Sequence, residues 1–214
     1  MINRFQFVAH INNALEYDKL ISTALSNDKV LIESSIKEGT TFTVAMFRLE
    51  NMLYLYYESE KEMVCPSDMF PAVTKLLDGG KWQLMKNVYY TFIPKTLESW
   101  TRKEKKTRIA KIGKLLPDKI DSYIKYHDAF MEEGLLDGEK HLFISLLGNT
   151  LFLYSEDPAE MVHLRRDCND ESTVINEWRA LNPKGHFDHE FSGEANFIIL
   201  DDIFSLGRED FFNE

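Results

Sequence analysis

An α+β fold made of two tandem ferredoxin-like repeats, closing into a pseudo-dimeric α/β barrel, is predicted from three observations. The order β-α-β-β-α-β can be read along the first half of the chain, the same order returns in the second half, and Asn51 and Asn149 fall at equivalent hairpin turns. A sheet of this topology carries helices on one face only, so its other face has to be covered, and two sheets paired within one chain meet that need. The repeats are placed at 1–101 and 106–214 of the 214 residues, one chain being the pair, with further oligomerisation open.

In the first half, Arg4 to Ile11 alternates like a strand, Asn12-Asn13 supplies a helix cap, and Leu15, Leu20, Ile21 and Leu25 recur at helical spacing in a helix that could continue to about Ile36. Thr41 to Leu49 and Met52 to Tyr57 are β-rich runs turning at Glu50-Asn51. Met69 to Leu77 reads as a helix closed by Asp78-Gly79-Gly80, and Asn87 to Ile93 as a strand ended by Pro94. In the second half, Arg108 to Leu115 is a strand, and Pro117-Asp118 opens a helix from Lys119 to about Glu133 that stops at Gly134 or Gly138. His141 to Leu147 and Thr150 to Tyr154 form a hairpin around Gly148-Asn149; Glu171 to Leu181 is a helix, and Asn196 to Leu200 a final strand.

A hydrophobic share of 44% and an aromatic share of 13% suit a globular protein, and no apolar run is long enough to span a bilayer. Met1 to Phe7 alternates apolar and polar residues and lacks the features of a signal peptide, which places the chain in the cytoplasm. A formal charge of −10 opposes nucleic acid and anionic membranes as partners. The mixed-charge run Arg102 to Arg108 reads as a solvated linker entering a strand, and Cys65 and Cys168 as free thiols.

Tyr123 and His127, four residues apart on one helix, share a face and could serve one ligand, the imidazole moving a proton near neutral pH. Their context adds to this. Pro117-Asp118, four residues, Tyr123, three residues and His127 form a spacing that resembles the opening of L-rhamnose mutarotases. Asn149-Thr150-Leu151-Phe152 resembles that family's hairpin turn, and the helix around Trp178-Arg179 its tryptophan-bearing helix. The chain departs from the family at Asp128 to Glu133, keeps one tryptophan of a pair, and has Phe143 where a tyrosine is expected.

The resemblance, which covers about half the chain, implies an isomerase of carbohydrate metabolism that exchanges the anomers of a monosaccharide by general acid-base catalysis, with no cofactor and no metal. It assigns proton transfer to His127, a sugar hydroxyl to Tyr123, ring contacts to Phe143 and Trp178, and a substrate contact to Arg179. The first half, with Ile21 four residues after Tyr17, is a degenerate copy, so one site per chain is expected. Two other readings stand beside it: a non-catalytic sugar-binding or regulatory module, and a cofactor-independent or haem-using oxygenase of the same fold. His186-Phe187-Asp188-His189-Glu190 concentrates possible ligands, but its histidines are three apart with Glu190 outside them, so it reads as a loop and not as a metalloprotease helix.

Overall fold

The structure is a computed structural model describing residues 2–11, 17–60, 63–133, 137–163 and 172–212. The expected cap at Asn12-Asn13, the stop at Gly134, Glu171 and Cys168 lie outside the described residues. The first half runs β1 (Asn3–His10), α1 (Tyr17–Lys37), β2 (Thr41–Leu49), β3 (Met52–Ser59), α2 (Pro66–Met69), α3 (Pro71–Thr74), β4 (Gln83–Leu84), β5 (Lys86–Tyr90) and α4 (Leu97–Trp100). The second runs β6 (Thr107–Lys114), α5 (Ile120–Glu133), β7 (Asp137–Glu139), β8 (Phe143–Leu147), β9 (Thr150–Asp157), β10 (Met161–His163), α6 (Thr173–Ala180), α7 (His189–Ser192), β11 (Ile198–Ile199), β12 (Asp201–Gly207) and α8 (Glu209–Phe212).

The α+β class with antiparallel sheets is as expected. Among the described residues one sheet has the order β12-β2-β3-β1-β4 and another β11-β6-β9-β8-β5. Each contains the ferredoxin-like order of its own half, fourth-first-third-second, plus one strand beside the second. That extra strand comes from the end of the other half. The run expected as a strand at 87–93 is β5, which pairs with β8 in the other sheet, and the strand that completes the first sheet beside β1 is the earlier β4. Likewise β11 pairs with β6 and β12 with β2. The compact units are accordingly discontinuous: Met1–Met85, Pro94–Arg108 and Leu200–Glu214 form one, Lys86–Ile93 and Ile109–Ile199 the other.

In the first unit α1 buries Ile21, Ala24, Leu25, Ile32 and Ile36 along one stripe against Val44, Met46, Leu53 and Leu55 of the sheet. The buried Asp28 on the same helix accepts the backbone N–H groups of Ala72 and Val73, each at 2.9 Å, which satisfies the start of α3. The helix expected from Met69 to Leu77 is broken into α2 and α3 at Phe70, because Pro71 offers no N–H to a continuing helix. The mixed-charge run is not solvated throughout: Arg102, Lys106 and Arg108 are buried, since each has a carboxylate partner in Glu58, Glu104 or Glu209. Glu58 holds Arg102 at 2.6 and 2.7 Å and also accepts from Trp100 Nε1 and the Tyr56 hydroxyl. Among the described residues no helix is long and apolar enough to cross a membrane.

Candidate functional site

In the second unit, Leu116 leads through a short turn at Pro117–Lys119 into α5, where Tyr123, His127 and Phe130 form the buried stripe at spacings of four and three. The Tyr123 and His127 rings stack with centroids 3.8 Å apart. His127 Nδ1 lies 2.8 Å from the Tyr123 carbonyl oxygen, which can only accept. Nδ1 therefore carries the proton and Nε2 the lone pair.

Other rings complete the surround. Tyr89 meets the imidazole edge-on at 5.2 Å, Trp178 at 5.3 Å and Phe130 at 5.4 Å. Trp178, half-buried on α6, also contacts Tyr123, Tyr126 and His186. That helix is fixed by Ser172, whose hydroxyl accepts from the Ile175 N–H at 3.0 Å and donates to the Glu133 carboxylate at the end of α5. Tyr89 reaches the cluster because β5 is bulged: the register slips between Asn87 and Tyr89, so Val88 and Tyr89 both face α5. Asn87 pins the bulge, donating to the carbonyls of Tyr89 (3.2 Å) and Ile144 (2.9 Å).

Burial pulls the His127 pKa down to about 4, with the neighbouring His186 adding and the bond to the Tyr123 carbonyl opposing. Burial likewise raises the hydroxyls of Tyr123 and Tyr89 above the usual phenol value. At neutral pH the His127 imidazole is thus uncharged.

Of the residues named from sequence, Tyr123, His127 and Trp178 come together. Phe143 does not join them: its neighbours Ile144 and Leu146 pack in the cluster with Tyr123, so strand alternation turns Phe143 to the opposite face of β8. Arg179 is exposed, about 100° around α6 from Trp178. Of the possible ligands between His186 and Glu190, His186 is buried, with Nε2 3.1 Å from Ser122 Oγ and its ring against Trp178. Asp188 caps α7, and the exposed His189 has its two ring nitrogens 3.0 Å from the carbonyls of Gly193 and Lys184. Tyr89 and Phe130 were missed, and His186 was named only as part of a loop of possible ligands. Phe130 was open to detection three residues after His127 on the helix stripe.

No protein-family model matches the chain, and no curated protein matches it either. Among solved structures it is similar to a proposed monooxygenase from Fusobacterium nucleatum (9% identity, 96% of this chain and 94% of that one, TM-score 0.42). A proposed monooxygenase from Lactobacillus acidophilus is similar at 9% identity, covering 96% of each chain, with a TM-score of 0.43. A protein described as anthrone oxidase-like is similar at 8% identity, covering 97% of this chain and 93% of that one, with a TM-score of 0.36. The resemblance to L-rhamnose mutarotases is overturned by this outcome, and with it the isomerase, rhamnose and carbohydrate-metabolism readings: no mutarotase family is matched, and these neighbours carry oxygenase and oxidase names. The site adds a physical reason: with a pKa of about 4 the imidazole is neutral at pH 7, and its one N–H is held by the Tyr123 carbonyl, so Nε2 has no proton to give a sugar ring oxygen.

Proposed function

We propose that the cluster around His127 is the active site of a cofactor-independent oxygenase acting on a planar aromatic substrate with an acidic C–H bond. One observation carries the reading: a buried imidazole held neutral, its Nδ1–H bound to a backbone carbonyl and its Nε2 lone pair left as the base, inside a wall of aromatic rings. Flat aromatic faces favour a flat ligand by offset or edge-to-face contact. His127 takes the C–H proton, the substrate carbanion passes its electrons to dioxygen, forming a C–O bond, and the resulting peroxide anion takes the proton back from His127. The hydroperoxide then loses water, so that a methylene and one O₂ become a ketone and one H₂O. Trp178, half-buried like Tyr89 and in contact with the His127, Tyr123 and His186 rings, is the side chain that would yield to admit the substrate.

The test uses anthrone, whose methylene is acidified by two rings and a carbonyl. Oxygen uptake should match ketone formation one for one, and His127→Asn should bind anthrone while losing ~10²–10⁴-fold in rate. Binding without uptake by the parent protein would leave a non-catalytic module. A Soret band in the purified protein would replace this reading with a haem-using one.

A further inference from the structure

The first unit holds a groove that the proposed oxygenase does not use. It lies between α1 and β12, with a volume of about 390 Å³, within the range of small-molecule sites. Ile21 and Leu25 line it from α1, and Ile203 and Phe204 floor it from β12. A regular strand would send those last two residues to opposite faces. Here the register slips between Asp202 and Phe204, and both pack toward the helix side. Asp202 pins the bulge through the Phe204 N–H at 3.1 Å and the Ser205 hydroxyl at 2.6 Å. Ser22 and Ser26, one helical turn apart on the groove side of α1, are small enough to leave the floor open.

At the end of the groove stands Arg48, whose side chain is only 15% exposed. Its Nε donates to the Glu50 carbonyl at 2.6 Å, which fixes the guanidinium plane. Its counter-ion is Asp18, whose side chain is 92% exposed and so leaves at little cost. A fixed, largely buried cation with a displaceable partner, beside an apolar floor, has the chemistry of a receptor for one class of ligand. We infer that this groove binds a monocarboxylate with a hydrocarbon tail, the carboxylate taking Asp18's place on Arg48 and the tail lying on Ile21, Leu25, Ile203 and Phe204. The first unit, the degenerate repeat completed by β12, is then a second binding unit with its own specificity.

The probe is decanoate, titrated into the full-length protein and followed by amide chemical shifts. Saturable shifts at 21–29, 48 and 203–206 are expected. Arg48→Gln should weaken binding about tenfold or more, the loss of a charge-assisted pair. Asp18→Asn should tighten it several-fold by removing the competitor, an effect that a merely hydrophobic groove would not show. Ser26→Leu, at an exposed helix position, should block the floor. Decanol should bind the parent no better than decanoate binds the Arg48→Gln variant. Absence of saturable shifts, shifts mapping elsewhere, or equal decanoate affinity in the parent and Arg48→Gln proteins would overturn the inference. Should Ser26→Leu lose the folded spectrum, the Arg48 and Asp18 variants decide alone.

Discussion

Enclosing an imidazole in rings strips the charged form of its hydration, and His127 is held by a backbone carbonyl and aromatic side chains. The consequence for stability has a definite sign. The folded-state pKa is about 4 and the unfolded value about 6.5, so below pH 6.5 the unfolded chain binds a proton that the folded one refuses. His127 should therefore cost no stability above pH 6.5, lose it progressively as pH falls toward 4, and level off below, at a total on the order of 3 kcal/mol. Urea unfolding of the parent and a His127→Gln variant across that window checks this; parallel curves would remove the assigned burial effect. The Tyr123–His127 pair was legible in sequence because residues four apart share a helix face. Tyr89 was not, since its direction depends on a one-residue slip that no strand pattern records, and Phe143 was misplaced for the complementary reason, its face being set by register.

Both bulges share a build: a polar residue whose side chain bonds the local backbone, then a β-branched residue, then an aromatic, as Asn87-Val88-Tyr89 and Asp202-Ile203-Phe204. The hairpin turns are equally matched. Asn51 and Asn149 each lend a carbonyl, at 2.8 Å, to the N–H of Ile11 and Leu115 at the end of the first strand of their half. Tyr56 and Tyr154 each donate to a glutamate two residues on, at 2.7 Å. These pairs carry the repeat better than overall identity does, and only the asparagine turns were noticed in the sequence. Helix and hairpin positions were readable from periodicity, whereas the break at Pro71, the strand β4 and the continuation past Leu200 into β12 were not; a two-residue strand such as β4 has no period to detect. Asn87→Ala should cost about 1–2 kcal/mol, two hydrogen bonds' worth, while freeing the bulge that aims Tyr89. The His127 ring-proton shifts, which sense Tyr89 edge-on, should move in that variant, and a stability loss without such movement would show that Asn87 does not aim the ring.

Exchange of terminal strands ties the two halves together through their sheets. A cut at residue 104 would give a first fragment without β12, which covers β2 from Thr43 to Arg48, and a second without β5, the partner of β8. Each sheet would then end in a bare edge, β2 in one fragment and β8 in the other, with unpaired backbone groups open to aggregation. The duplication was visible in sequence from the repeated element order, but the exchange was not, since it turns on where a chain goes after a strand and not on what the strand is made of. Fragments 1–104 and 105–214 should therefore each be aggregated or only partly folded when expressed alone, yet recover a single cooperative unfolding transition when refolded as an equimolar mixture. Circular dichroism and sedimentation of each fragment and of the mixture provide the check. A monomeric fragment that unfolds cooperatively by itself would show that the exchanged strand is dispensable and that the contiguous half is the folding unit.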